Sequence, residues 1–252
     1  MSAYYNEIDP YAAQWLRNLI AAGHIAPGEV DERSIVDVRA DDLRRFTQCH
    51  FFAGIGVWSY ALRLAGWPDD EPVWTGSCPC QPFSAAGGQG GFDDSRHLWP
   101  YWSRLILERG ANPVFGEQVA SSDGLAWLDF VCADLEGADY AVGAVDLCAA
   151  GVGAPHGRPR TYWVAHTERE RMEGHSESIA VVEAGSWGAF GEADLLAIAA
   201  APFERGTCWP EPIIRKMDDG AAYCVGRLRA YGNAIVPQVA AEFIRAYWNL
   251  MQ

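Results

Sequence analysis

The sequence is poor in positive charge. Its 252 residues include 19 lysines and arginines against 33 aspartates and glutamates, which gives a formal net charge of −14. Proteins that hold nucleic acid by bulk electrostatics need a basic surface, so this composition argues against that mode of binding. Nucleic-acid binding would require a small set of arginines to gather on one face. The candidates are Arg158, Arg160, Arg169, Arg171, Arg205, Arg215, Arg227 and Arg229.

Long hydrophobic runs, internal repeats and a signal peptide are also missing. No stretch approaches the length of a membrane span, so we expect no membrane partner. The seven cysteines are odd in number and irregular in spacing, which favours reduced thiols and a cytoplasmic location. Cys78 and Cys80 stand two positions apart, but no second pair or histidine cluster has ligand spacing, so we expect no bound metal.

Short apolar segments alternate with helical patterns along the chain. Asp9 and Pro10 begin a predicted helix that ends at Gly23, and a short strand should precede it and end near Glu7. A second apolar piece over residues 34–38 reads as a strand end. Further strands are predicted near residues 49–53, 73–75, 113–115, 141–145 and 161–165, and a last helix over residues 237–248. The pattern predicts a doubly wound α/β fold with a mostly parallel sheet and chemistry at the carboxyl ends of its strands.

The loop around Cys80 is the most informative segment. Pro79 and Pro82 flank the cysteine closely, and a segment from Gly91 to Arg96 follows. Because proline fixes φ and lacks an N–H, the thiol is expected on a stiff, non-helical loop, where a nucleophile can reach out. The alternative is a buried structural cysteine in a proline-rich turn.

Four other segments carry polar residues in patterns typical of a ligand site. A Phe-Ala-Gly-Ile-Gly turn spans residues 52–56, and Glu117 lies at a predicted strand end. Arg158 and Arg160 flank a proline, and Asn233 lies in a Gly-Asn-Ala-Ile-Val-Pro segment. Glycines let the backbone approach a ligand closely, and arginine forks suit phosphate or carbonyl oxygens.

Together these motifs resemble the DNA cytosine-5 methyltransferase family, which has a Pro-Cys-Gln loop, a Phe-x-Gly-x-Gly loop, a strand-end glutamate, an Arg-x-Arg pair and a Gly-Asn-Ala-x-x-Pro segment. The resemblance implies a Rossmann-like, S-adenosylmethionine-dependent methyltransferase fold. It also implies transfer of a methyl group from S-adenosylmethionine to C5 of a flipped cytosine in double-stranded DNA, through a covalent bond between cysteine and C6.

The resemblance assigns a role to each matching position. Cys80 is the implied nucleophile, Glu117 the acid that activates the ring, and Arg160 and Arg158 the groups that hold cytosine O2, a phosphate or the catalytic loop. The implied substrate-binding residues are Pro79, Gln81 and Ser84. The implied cofactor-binding residues are Phe52, Gly54, Gly56, Glu7, Ile8 and Asn233.

The motif order differs from the family's usual order. Only one helix and one strand fit between Gly56 and Pro79, where the family has two further strand–helix units. Residues 6–12 resemble the family's acidic second-strand segment, and residues 30–35 its third, so the order is interpreted as transposed. Glu7 would then bond the ribose hydroxyls and Ile8 would pack on adenine. Three residues stay open as the third-strand cofactor contact: Asp31, Ser34 and Asp37.

The chain is divided accordingly into three parts. Residues 1–165 form the catalytic and cofactor-binding domain, residues 166–225 a small target-recognition region, and residues 226–252 a segment that returns to the catalytic domain. Two family positions differ here, with Gln118 in place of asparagine and His156 in place of glutamine. We expect a monomer, and the DNA target sequence stays open.

Three alternatives remain beside this interpretation. A cytosine-5 modifier could use a methylenetetrahydrofolate donor and leave 5-hydroxymethylcytosine, although an adenosine-type site at Glu7 argues against it. An inactive DNA-binding homologue is favoured by Gln118 and the acidic charge. A nicotinamide oxidoreductase would rest only on the glycine-rich turn. The biological role, whether phage protection, restriction–modification or regulation, also stays open.

Overall fold

Seven strands form one sheet in the part of the chain that the computed structural model describes, residues 2–79, 98–154, 156–167 and 234–251. The strands are β1 (Ser2–Asn6), β2 (Gly28–Asp31), β3 (Phe46–Phe51), β4 (Val73–Gly76), β5 (Val114–Val119), β6 (Ala141–Leu147) and β7 (Arg160–His166). The α-helices are α1 (Pro10–Ala21), α2 (Val57–Ala65), α3 (Trp99–Arg109), α4 (Ser122–Glu136) and α5 (Pro237–Leu250).

The strand order across the sheet is β2-β1-β3-β4-β5-β7-β6. The pairs from β2 through β5 are all parallel, and β7 is antiparallel to both β5 and β6. Parallel strands joined by helices place all their carboxyl ends on one edge of the sheet, where ligands bind in folds of this kind. The predicted doubly wound, mostly parallel architecture is therefore confirmed.

The first helix begins as the sequence predicts. The Asp9 carboxylate accepts hydrogen bonds from the backbone N–H groups of Tyr11 and Ala12, and Pro10 occupies the first turn. Such a cap stabilises a helix by about 1 kcal/mol, because it satisfies backbone donors that have no partner within the helix. Leu16 is fully buried on the side of α1 that packs towards β1.

The two faces of the sheet carry separate hydrophobic clusters. Adjacent residues of β1 show the division, because Tyr4 belongs to the cluster with α3 and α4 whereas Tyr5 lies on the opposite face with α1. Four fully buried tryptophans dominate the first cluster: Trp99, Trp102, Trp127 and Trp163. On the opposite face, α2 and α5 pack on the central strands. The sheet is thus covered on both sides, as a parallel sheet requires.

One predicted strand differs in the structure. The segment expected to form a strand end over residues 34–38 instead holds a 3₁₀ helix, Ile35–Asp37, and the outer strand is β2. Ile35 and Val38 are both buried, and their spacing of three suits one turn of a helix rather than alternation along a strand. Ser34 stabilises that turn, since its Oγ accepts a hydrogen bond from the N–H of Val36 at 3.4 Å.

Within these described ranges, no helix combines the length and apolar character that crossing a membrane would need.

Candidate active site

The glycine-rich loop leaves the carboxyl end of β3 and leads into α2. Gly54 and Gly56 adopt left-handed conformations, with φ of +54° and +81°, which strain residues that have a β-carbon. A β-carbon on Gly56 would also press on the side chain of Leu16 at 3.0 Å. Phe52 opens the loop with φ of +50°, and its ring meets Trp102 edge-on at 5.9 Å. Three predicted cofactor residues therefore share one tight turn.

Glu7 follows β1 directly and lies beside this loop. One carboxylate oxygen, Oε2, accepts a hydrogen bond from the N–H of Gly54 at 2.7 Å, and Oε1 accepts one from the N–H of Asp9 at 2.9 Å. The neighbouring Ile8 is 64% exposed. Because β1 and β3 are adjacent and parallel, their carboxyl ends meet and bring together two predicted cofactor segments that are far apart in the sequence.

The three candidates for the further cofactor contact, Asp31, Ser34 and Asp37, occupy different environments. Asp31 ends β2, and its carboxylate accepts hydrogen bonds from the hydroxyl of Tyr4 at 2.8 Å and from the guanidinium of Arg33. Burial acts to raise the pKa of Asp31, but the hydrogen bonds from Arg33 and Tyr4 outweigh it, so the pKa lies below its ordinary value. Ser34 caps the 3₁₀ helix, and Asp37 is exposed. Asp31 alone of the three lies at a strand end.

Glu117 is buried in the middle of the sheet edge, near the end of β5. Its side chain is 7% exposed, and its Oε1 accepts from Nε of Arg160 at 2.8 Å. Loss of solvation raises the pKa of Glu117, and the positive charge of Arg160 and a hydrogen bond from Ser77 only partly oppose that effect. The Glu117 carboxyl is therefore more easily protonated in this environment than it would be in water. Glu117 is therefore not an exposed acid at a strand end.

The two predicted arginines, Arg158 and Arg160, have different hydrogen-bond partners. Arg160 begins β7, and its Nε contacts Glu117. Arg158 has a φ of +43°, and its guanidinium donates to the backbone carbonyl of Ala234 at 2.7 Å. Burial and the nearby charge of Arg160 lower the pKa of Arg158. Arg158 thus ties the turn before β7 to the segment that enters α5.

The chain that leaves β4 is held against β5. Gln118 is 5% exposed, and its Nε2 donates to the carbonyl oxygen of Cys78 at 3.2 Å. Its Oε1 accepts from the N–H of Val119 at 2.9 Å. Both ends of the amide are therefore used, and one of them fixes the backbone just before Pro79, which is half-buried. The unusual glutamine at this position has a structural role.

Four predicted site residues lie outside the described part of the chain. They are Cys80, Gln81, Ser84 and Asn233. Described residues lead directly up to two of these positions, because Pro79 precedes Cys80 and Ala234 follows Asn233. Across the described ranges, no three histidine, cysteine, aspartate or glutamate side chains group as metal ligands.

Two contacts at this edge escaped the sequence analysis. Ser77 hydrogen-bonds Glu117, and the indole N–H of Trp58 donates to the hydroxyl of Ser77 at 3.2 Å. The one signal in the sequence is that Ser77 directly follows a buried strand. Local sequence does not show that Glu117 is its neighbour, because that depends on the β4–β5 register, in which Gly76 is opposite Gly116.

The fold is one that known methyltransferases share. A seven-stranded, mostly parallel sheet with helices on both faces is the fold of the Rossmann-like methyltransferases. Residues 66–186 match the family model for C-5 cytosine-specific DNA methylases. The match covers slightly less than half of the chain, and over that part the chain is similar to this family.

Individual methyltransferases are also similar to parts or all of the chain. The type II methyltransferase M.HhaI from Haemophilus parahaemolyticus is 35% identical over 99 residues, which are 38% of this chain and 30% of that protein. The match thus spans less than a third of the curated relative's length. The crystal structure of S. pombe Dnmt2 methyltransferase covers 100% of both chains with a TM-score of 0.50 at 11% identity, which supports a shared fold. A putative DNA modification methyltransferase encoded in an E. coli prophage matches at a TM-score of 0.44 and 19% identity, over 67% of this chain and 41% of its own.

Proposed function

We propose that the protein is a DNA cytosine-5 methyltransferase that uses S-adenosylmethionine and forms a covalent bond between Cys80 and C6 of a flipped cytosine. The observation that carries this proposal is the ion pair between the buried Glu117 and the half-buried Arg160 at the carboxyl edge of the sheet. The pair lies across from the end of β4. Strand β4 ends at Gly76, which is four residues before Cys80.

Glu117 supplies the activation that a cytosine ring needs. C6 of cytosine is a poor electrophile, so attack by a thiolate requires hydrogen bonding or protonation at N3 and at the exocyclic amine. A carboxyl group whose pKa is raised by burial can donate a proton there, which an ionised carboxylate cannot. Arg160 holds the same carboxyl in place and presents its remaining N–H groups to cytosine O2 or to a phosphate.

Cys80 carries the covalent step. Once the base has left the stack, the thiolate adds to C6 and the electron pair of the 5,6 double bond makes C5 nucleophilic. Transfer of the methyl group from the sulfonium of the donor to C5 would leave a thioether, and loss of the C5 proton to solvent would return the electron pair that expels the thiolate of Cys80. Gln118 fixes the carbonyl of Cys78, so the backbone that delivers the thiol is anchored to the strand that carries Glu117.

The residues around the glycine loop fit an adenosine-bearing cofactor. The carboxylate of Glu7 lies at the loop and retains acceptor capacity for ribose hydroxyls beside its two backbone hydrogen bonds. Ile8 exposes 64% of its surface next to this carboxylate, as a residue that packs on adenine must. When bound, S-adenosylmethionine supplies an electrophilic methyl group. Asn233 would contact its amino-acid part, and Asp31 is the strand-end candidate near its base.

The strand order supports a transposed arrangement of motifs. The glycine loop follows β3, which lies between β1 and β4, so the two strands that come first in the sequence extend the sheet beyond the loop. The family match begins at residue 66, downstream of both the loop and Glu7. Residues 166–225 are proposed as a small target-recognition region, and residues 226–252 as the return to the catalytic domain.

Binding of double-stranded DNA is proposed to rest on few phosphate contacts. Many arginines of the described surface already pair with acids, including Arg17 with Glu32 and Arg45 with Glu29. Arg158 and Arg160 lie at the carboxyl edge, where the flipped base would enter. The protein is proposed to act as a monomer.

Mass spectrometry of nucleosides tests the activity directly. DNA from cells that express the chain should contain 5-methylcytosine above background, and the Cys80→Ser variant should return it to background because a hydroxyl adds far less readily to C6. Cys132→Ser is the matched control, since Cys132 is a free thiol in the second half of α4 and its loss should leave the signal unchanged. Bisulfite sequencing of the same DNA would give the target site.

Other products would separate the alternatives. A 5-hydroxymethylcytosine signal that depends on Cys80 would replace the proposed donor with a methylenetetrahydrofolate. Absence of any modified cytosine, together with DNA binding that survives Cys80→Ser, would instead identify an inactive DNA-binding homologue.

A further inference from the structure

Ser77 is the first residue after β4 and lies beside the candidate acid. In the parallel β4–β5 ladder Gly76 is opposite Gly116, so the next residues, Ser77 and Glu117, are also neighbours and point to the same face of the sheet. A hydrogen bond from the Ser77 hydroxyl acts to lower the pKa of Glu117. The register therefore places the hydroxyl beside the acid, and the pKa of the acid responds to it.

A second contact orients that hydroxyl. Nε1 of Trp58 lies 3.2 Å from Oγ of Ser77. An indole nitrogen can only donate, so the serine oxygen accepts from Trp58 and its own proton is left to donate to Glu117. Hydrogen bonds in such a chain polarise one another, which strengthens the donor that faces the carboxylate.

Trp58 is itself rigidly held. It is 4% exposed, it stacks on Phe115 with ring centroids 6.4 Å apart, and it meets Tyr162 edge-on at 6.1 Å. Trp58 is the second residue of α2, two positions after Gly56. The hydroxyl of Ser77 is thus positioned by the helix that begins at the glycine loop.

We propose that Ser77 is a positioning residue for the methyl transfer assigned above. Its hydroxyl, oriented by Trp58, fixes the Glu117 carboxyl from the side of β4 while Arg160 holds it from the side of β7. The contact links the acid to the helix after the glycine loop. The inference rests on the proposed function for its catalytic meaning, but the hydrogen-bond chain can be tested without any turnover.

The direct test is the titration of Glu117 by carbon NMR of side-chain carboxyl groups in the full chain, with Glu117→Gln to assign the signal. The hydrogen bond from Ser77 lowers the pKa of Glu117, so Ser77→Ala should raise that pKa further. Ser77→Thr keeps a hydroxyl and should titrate like the native chain. Ser103→Ala is the matched control, because it removes a hydroxyl that bonds only within α3.

Trp58→Phe extends the test to the second contact. Phenylalanine keeps a ring against Phe115 and Tyr162 but removes the N–H, so the Glu117 pKa should move in the same direction as in Ser77→Ala. If Ser77→Ala does not fold, Trp58→Phe still tests the hydrogen-bond chain from Trp58 through Ser77 to Glu117. An unchanged Glu117 titration in the folded members of this pair would overturn the proposal.

Kinetics then separate positioning from a purely structural role. Ser77→Ala should lower kcat about tenfold, as expected for loss of one hydrogen bond to a charged group, with KM for S-adenosylmethionine nearly unchanged. Ser77→Thr should restore kcat. A loss in KM alone would contradict positioning of the acid. Native protein without any transferase activity would refute the proposed function, while the NMR titration would still decide the hydrogen-bond chain.

Discussion

Arg160 donates through Nε to Oε1 of Glu117 over 2.8 Å, and the acceptor is only 7% exposed. Two opposed effects meet at this carboxyl, because burial disfavours its charge and the guanidinium favours it. Burial wins, so the pKa of Glu117 stays above its ordinary value of 4.5. A carboxyl in this state is suited to donate a proton rather than only to accept one.

The raised pKa of Glu117 predicts how stability depends on pH. Well below pH 4.5 the carboxyl is protonated in both the folded and the unfolded chain. As pH rises from there through the folded pKa, the unfolded chain releases its proton first, and this contribution to the free energy of unfolding is lost. The native chain should therefore lose stability relative to Glu117→Gln across that window.

Urea denaturation of both proteins from below pH 4.5 to about pH 8 measures this difference, and all other titrations cancel in the comparison. A difference that stays flat with pH, or that grows in favour of the native chain, would show that burial does not dominate. The same Glu117→Gln variant should lose methyl transfer about a hundredfold or more, because an amide cannot protonate the ring.

Glu7 is predicted to control cofactor affinity. Glu7→Gln replaces a charged acceptor that the ribose hydroxyls would share with the N–H of Gly54. Loss of a hydrogen bond to a charged group costs about 1.5–3 kcal/mol, so the Kd for S-adenosylmethionine should rise about tenfold or more. Isothermal titration calorimetry measures this, with Glu29→Gln as control because Glu29 is an exposed partner of Arg45. Equal affinities in the two variants would remove Glu7 from the cofactor site.

Gln118 is predicted to position the catalytic loop without contacting the base. Gln118→Met keeps the length of the side chain but removes the donor to the carbonyl of Cys78. Loss of this buried hydrogen bond costs about 0.5–1.5 kcal/mol, which should lower kcat by up to about tenfold through displacement of the loop. Single-turnover methyl transfer with excess enzyme measures the chemical step. A variant with native single-turnover rates would show that the loop is held by other contacts.

Gly116 is predicted to be intolerant of any side chain. A β-carbon there would overlap the indole ring of Trp163, which is fully buried. Overpacking a core of this density costs about 1–3 kcal/mol, and Gly116→Ala should lie at the upper end because a rigid ring is the obstacle. Gly151→Ala is the control, since nothing lies within 4 Å of its β-carbon position. Urea denaturation should separate the two variants, and equal midpoints would contradict the packing argument.

Local sequence signals predicted most of the fold. Asp9 and Pro10 define the start of α1, and the apolar runs near residues 73–75, 113–115 and 161–165 became β4, β5 and β7. The outer strand β2 was indicated only by the resemblance of residues 30–35 to a third-strand segment, because it has only four residues, of which Val30 alone strongly favours a strand. Residues 34–38 have strand-like composition, but burial of Ile35 and Val38 on one side makes a helical turn the better arrangement.

In the candidate site, too, some features could be predicted from the sequence and others depended on the tertiary structure. Resemblance to the motifs of a known family identified Glu117, Arg160, Glu7 and the glycine loop as functional candidates, because such motifs are local in the sequence. Tertiary structure alone decided that Arg160 pairs with Glu117, that Trp58 donates to Ser77, and that Glu7 meets Gly54. The physical reason is that hydrogen bonds between strands, and the desolvation that sets the pKa of Glu117, depend on which strands lie side by side. That order across the sheet is fixed by packing over the whole chain rather than by any one segment.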